Sequence, residues 1–120
     1  MRTAAQRRGD EAEALVAARL IAAGWLIHAR NVRVGHLELD LVATDPGPPP
    51  TLVFVEVRWR SRRDYGLAEE TVDNRKRARL RAAAFRLIDR PASALPRLPI
   101  RFDLVGVESD GRLRHHRHGG

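Results

Sequence analysis

The 120-residue chain contains no cysteine. That excludes a disulfide framework and any thiolate zinc site, and makes a reducing compartment the default expectation. No apolar run approaches the roughly 18 residues that a membrane-spanning helix needs, and the N-terminus is polar and arginine-rich with no apolar signal core. A soluble, cytoplasmic protein without membrane attachment is expected. The sequence has no glycine-rich phosphate loop, no Ser or Cys nucleophile elbow and no paired-His zinc motif, so nothing points to those chemistries. Lysine is nearly missing too: of 22 Lys and Arg residues, only Lys76 is a lysine. Among the histidines, His28 and His36 are isolated. His115, His116 and His118 fall in a tail, 109–120, that is expected to be disordered, where they would bind metal only adventitiously.

What the chain does carry is positive charge. The formal net charge is +7, which points to an anionic partner such as nucleic acid rather than to any fold. A GC-rich coding sequence, which drifts toward Arg and Ala, is the competing explanation for much of that excess. The length suits one domain with one core, assigned here to residues 1–108. Apolar residues at Ala12, Leu15, Val16, Ala18, Leu20 and Ile21 recur with helical period, predicting a helix over Gln6 to Ala23 that Gly24 caps. A strand follows from Trp25 toward Asn31, and a second from Leu37 to Thr44. In the second, Leu37, Leu39 and Leu41 face one side while Glu38, Asp40 and Val42 face the other. The proline-rich run from Asp45 to Pro50 cannot continue a ladder and predicts a turn into a third strand. After a loop over Ser61 to Glu70 come a helix from Asn74 to Asp89, with Asp73 as N-cap and Pro91 beyond its end, and a strand from Ile100 to Glu108. The second helix buries Leu80, Ala83, Ala84, Leu87 and Ile88. The fold class is α/β, with element order αβββαβ.

The third strand, Leu52-Val53-Phe54-Val55-Glu56-Val57-Arg58, holds a carboxylate in an otherwise buried run. A bare buried charge costs several kcal/mol, so Glu56 must be paired, hydrogen-bonded or bound to a metal. Alternation puts Phe54, Glu56 and Arg58 on one face, opposite Val53, Val55, Val57 and Trp59. An ion pair between Glu56 and Arg58 is one solution. A second arises if the two neighbouring strands form a hairpin, because Asp40 and Glu56 then converge on one hard cation. Magnesium binds in this way through one or two carboxylates, keeping its other positions for water and substrate phosphate.

The runs Glu38-Leu39-Asp40-Leu41-Val42 and Val53-Phe54-Val55-Glu56-Val57-Arg58 resemble the PD-(D/E)XK nuclease signature, and specifically the YraN-like proteins of the UPF0102 family. Trp25 to Asn31, Tyr65-Gly66, Val72 through Lys76 to Leu80 and Arg101-Phe102-Asp103-Leu104-Val105 extend the resemblance from about Ala12 to Val107. It implies a restriction-endonuclease-like core, a mixed sheet flanked by helices, similar to Holliday-junction resolvases. The implied activity is DNA phosphodiester hydrolysis with Mg2+, or Mn2+ in its place, on branched or structured DNA. It also implies Asp40 and Glu56 as metal ligands and Glu38 at the position of the Glu in the family's Gly-Glu-Ile-Asp-Leu run. A helix-borne Glu is implied as well. Counting back from Gly24 makes it Glu13, whereas Gly9 as the anchor nominates Asp10 or Glu11. A homodimer is common among proteins that cut both strands.

One position departs from the signature: its usual Lys is here Arg58. Lys can lose a proton and help activate water, whereas Arg stays protonated and supplies only fixed charge and N–H donors. The site is then either an active one with an electrostatic Arg58, or a degenerate one that binds nucleic acid without cutting it. An interaction protein that meets an acidic partner is a third class. Lys76 stands four residues before Leu80, at the foot of the core stripe. Arg75, Lys76 and Arg77 in a helix's first turn oppose its dipole unless an anion compensates, which a phosphate or Asp73, Glu69 and Glu70 could do. With Arg58, Arg60, Arg62, Arg63, Arg79 and Arg81 they form a basic band suited to phosphate contact. Asp40, Glu56, Arg58, Glu13 and Lys76 are the candidate catalytic residues, and Arg60, Arg62, Arg63, Arg75 and Arg77 the candidate nucleic-acid contacts.

Overall fold

The computed structural model describes residues 1–60, 74–90 and 93–118. It is an α/β domain whose five-stranded mixed sheet is flanked by two helices. Helix α1 spans Ala4–Ala22. It starts two residues before the expected Gln6, because Thr3 and Gln6 form a capping box. Thr3 Oγ1 accepts from the Gln6 N–H at 3.1 Å and the Thr3 N–H donates to Gln6 Oε1 at 2.8 Å, satisfying two otherwise orphaned donors. At the far end Gly24, with φ +92°, closes the helix. Its N–H reaches the Ile21 carbonyl and that of Trp25 reaches Leu20, the paired bonds of a Schellman motif.

The strands are β1 (Leu26–Val34), β2 (Leu37–Asp45), β3 (Thr51–Arg60), β4 (Ile100–Glu108) and β5 (Leu113–His118), lying in that order across the sheet. Helix α2, Asn74–Ile88, falls between β3 and β4 in the chain. It makes possible the one parallel pairing, β3 with β4, since parallel neighbours need a long crossover. The remaining pairs are antiparallel, and the Asp45 to Pro50 turn joins β2 and β3 as a hairpin.

Two apolar clusters sandwich the sheet. Ala12, Val16, Ala17 and Leu20 of α1 pack with Trp25, Leu41, Ala43, Val53, Val55, Val105 and Val107. On the other face Ala83, Ala84 and Leu87 of α2 pack with Val34, Leu39, Val42, Leu52 and Phe54. Each fully buried Val or Leu contributes about 1.5–3 kcal/mol relative to exposure. The α2 stripe and the alternation of β3 match the sequence pattern. In α1, by contrast, Ala17 is buried while Ala18 and Ile21 are exposed, because the helix's rotation against the sheet selects between adjacent apolar residues.

Two further expectations are corrected. Leu37, Leu39 and Leu41 do not share a face: Leu37 and Leu39 lie with the α2 cluster and Leu41 with the α1 cluster. The alternation slips at Asp40, opposite Asn31, whose φ of +53° is incompatible with a regular strand. The tail is not wholly disordered either, since Leu113–His118 form β5 against β4. Its basic residues meet carboxylates of β4, the buried Asp103 and the half-buried Glu108. His115 Nε2 lies 2.7 Å from Asp103 Oδ2, and Arg114 Nε lies 2.7 Å from Glu108 Oε1. Arg101 of β4 binds Asp103 through Nε and Nη2 at 2.8 and 2.9 Å and Asp45 through Nη2 at 2.9 Å. Its guanidinium also lies over the Trp25 ring, 5.7 Å from the centroid. Charge pairing supplies what low hydropathy lacks.

Candidate metal centre

Asp40 sits where β2 and β3 part. Their last backbone pair is Leu41 with Val55, and one step further the Asp40 carboxylate replaces the ladder: Oδ2 accepts the Val57 N–H at 2.8 Å. A side chain that takes over a strand's donor is held on a rigid frame.

Glu38 and Asp40 project toward the α1 side of the sheet, where Glu13 descends from the helix. One carboxylate oxygen from each of Glu13, Glu38 and Asp40 lies within 4.8 Å of the others. Gln6, Asn31 and Arg2 line the same pocket, and Arg2 is held by Asp10, Nε to Oδ2 at 2.6 Å. The Glu13 carboxyl is pushed up to about 7, chiefly by burial and then by the charges of Asp40 and Glu38, while a hydrogen bond from the Asn31 side chain pulls it down. A carboxyl raised by burial beside two further carboxylates belongs to a donor set suited to a hard divalent cation, whose charge relieves the repulsion. Of the alternatives that the sequence left open for the helix-borne acid, Glu13 occupies the cluster.

Glu56 is placed differently. It alternates with Val55 and Val57, which pack toward α1, and its Oε1 accepts from Arg58 Nε at 3.3 Å and Nη2 at 3.0 Å. Both side chains are largely shielded, so the ion pair foreseen as one solution for this strand is formed. Arg75 is exposed on the first turn of α2, across the sheet from the carboxylate cluster. Arg62, Arg63, Tyr65, Asp73 and Pro91 lie outside the described residues, as do the side chains of Arg60, Lys76 and Arg77. Arg2, Gln6 and Asn31 are pocket residues that sequence reasoning passed over. The sequence pattern ends the first strand at Asn31, where asparagine is no anomaly, and only the structure carries β1 on to Val34.

A mixed sheet between two helices, with carboxylates from a helix and a strand gathered where two strands diverge, defines an α/β domain with a restriction-endonuclease-like core. The family model described as uncharacterised protein family UPF0102 matches residues 12–107, and the chain belongs to that family. A UPF0102 protein of Symbiobacterium thermophilum is 45% identical over 111 residues, covering 91% of this chain and 90% of that protein. Those of Moorella thermoacetica and Xanthomonas campestris pv. campestris are each 42% identical, over 110 and 115 residues, covering 91% and 96% of this chain and 87% and 91% of theirs.

Proposed function

We propose that the protein is a divalent-metal-dependent DNA endonuclease, with branched or structured DNA as its substrate and Mg2+, or Mn2+, as its ion. The observation that carries this reading is the convergence of Glu13, Glu38 and Asp40 at the end of the β2–β3 ladder. These three residues would hold the ion, while Glu56, the further ligand that the family signature nominates, pairs with Arg58 and would have to leave that pair to join them. When bound, such an ion lowers the pKa of its water and stabilises charge on a phosphodiester. Asp40, fixed by Val57, sets the position of the site. Arg58 acts through fixed charge: its guanidinium can donate to a phosphate oxygen but cannot accept a proton from water. Arginines of the basic band supply phosphate contacts whose strength falls with salt, with exposed Arg75 reaching DNA only on the α2 face of the sheet.

The test incubates the pure protein with labelled linear, flapped and four-way DNA in Mg2+ and in Mn2+, beside Asp40→Ala and Glu56→Ala. Cleavage that disappears in both variants supports the assignment, and cleavage that persists in both sinks it. The Glu56 to Arg58 ion pair favours a second reading, a nucleic-acid-binding module that no longer cuts. Arg58→Lys separates the two. Activity that appears or rises sharply marks an intact catalytic site, whereas salt-dependent binding with no cleavage in either form marks a binding module.

A further inference from the structure

We propose that Asn31 is a positioning residue of the acidic pocket, its left-handed backbone kinking β1 opposite Asp40 and its side-chain amide tethering the Glu13 carboxylate. The inference rests on reading that pocket as a divalent-cation site. Among the described residues Asn31 is the one non-glycine residue with positive φ, at +53°. Its place is set by its neighbours: Arg30 pairs with Leu41 and Val32 with Leu39, so Asn31 stands across from Asp40. At that same step the side-chain alternation of β2 slips, leaving Leu39 in the cluster under α2 and Leu41 in the cluster under α1. Asn31 also lines the pocket with Glu13 and Glu38, near enough to the Glu13 carboxyl for its amide to lower it. One residue thereby links the strand irregularity that presents Asp40 to the helix that presents Glu13.

The identity of the residue separates its two tasks. Glycine would satisfy the backbone, and among the described residues the other positive-φ positions are glycines, Gly24, Gly35, Gly47 and Gly111. Glycine has no amide to aim Glu13, and aspartate would bring another negative charge to three carboxylates. Asparagine both tolerates the left-handed region and donates a hydrogen bond.

The test uses the full chain with Asn31→Gly, which keeps the backbone freedom and removes the amide, and Asn31→Ala, which removes both. Thermal melting should leave Asn31→Gly close to the parent and Asn31→Ala below it. Calorimetric titration with Mn2+ should show both variants binding on the order of 10-fold more weakly or worse, the loss typical when a residue orienting a metal ligand is removed. Mn2+ affinity in Asn31→Gly equal to that of the parent overturns the proposal. A readout independent of metal is the NMR signal of the Asn31 side-chain NH2 in the ion-free protein. The tether requires it to move in Glu13→Ala, and an unmoved signal overturns the proposal. Asp40→Ala in the parent tests the cation reading separately. If Mn2+ binding survives that change, the cation reading fails, and the positioning role falls with it even where the NH2 signal shows the tether.

Discussion

Arg101→Met is the sharpest test of how this sheet is held together, because it removes one charge from a network that buries two carboxylates. The methionine keeps an apolar stem against Trp25 and deletes all three hydrogen bonds that the guanidinium donates, two to Asp103 and one to Asp45. Asp103, whose side chain is 0% exposed, then keeps only His115 among these partners. Asp45 keeps the Gly47 N–H at 2.9 Å and Arg117 at 4.0 Å. Breaking a buried pair from one side costs about 3–5 kcal/mol, because the surviving charge stays desolvated. For a domain of this size that corresponds to a fall in Tm of roughly 10–20 °C.

The loss depends on pH. Burial alone would raise the Asp103 carboxyl, but the hydrogen bonds from His115 and Arg101 outweigh it, and the Gly47 N–H and Arg101 do the same for Asp45, so both lie below the usual value of 3.8. Groups lowered on folding contribute stability that is complete above the unfolded pKa and drains away as pH falls through the folded one. Urea unfolding followed by circular dichroism should therefore show the full deficit of Arg101→Met at pH 7. The deficit should shrink toward pH 3, where the stranded carboxylates take up protons. Adding Asp103→Asn to Arg101→Met should recover part of the loss at pH 7. A deficit below about 1 kcal/mol at pH 7, the scale of an exposed ion pair, would refute the reasoning.

Other outcomes follow from the same geometry. Glu13 is a carboxyl raised in the folded state, so it holds a proton between its ordinary pKa of 4.5 and about 7, and a cation must displace that proton. Mn2+ affinity should climb as pH rises through this window and level off above it. Calorimetry in two buffers of different ionisation enthalpy should register proton release near pH 6, and its absence would remove Glu13 from the ligand set. Truncation after Asp110 deletes β5 and uncovers β4, so the shortened chain should melt well below the parent; an unchanged Tm would show that the strand contributes nothing. Gly24→Ala places a Cβ with room around it, 3.7 Å from Pro46, but at φ +92°. A cost of about 1–2 kcal/mol in urea unfolding is expected from the backbone alone.

Legibility varied along the chain for physical reasons. The β3 segment was readable because strict alternation of Val with Phe, Glu and Arg leaves one way to lay it in a sheet, and α2 because its apolar stripe recurs without competitors. The β2 alternation misled at Leu41, since a one-residue slip falls opposite Asn31 of another strand and leaves no mark within β2. The tail misled because its low hydropathy hid basic side chains whose partners, Asp103 and Glu108, lie earlier in the chain. In the pocket, Asp40 was visible as a carboxylate within a strand. Glu38 and Glu13 were nominated only through family resemblance, and nothing local to either showed that they would meet.

The sequence by itself determined the periodicities, the caps, the hairpin turn, the excess of positive charge and the family. All of these are local or additive properties, written in residue types at short spacing. Tertiary structure alone decided which carboxylates share a pocket. Glu13 and Asp40 are far apart in the chain, and only the docking of α1 on the sheet, with the slip at Asp40, brings their oxygens within 4.8 Å. It likewise turned Glu56 to Arg58 and drew a basic tail into the sheet, because the energy of a buried charge is fixed by whichever partners the fold places beside it.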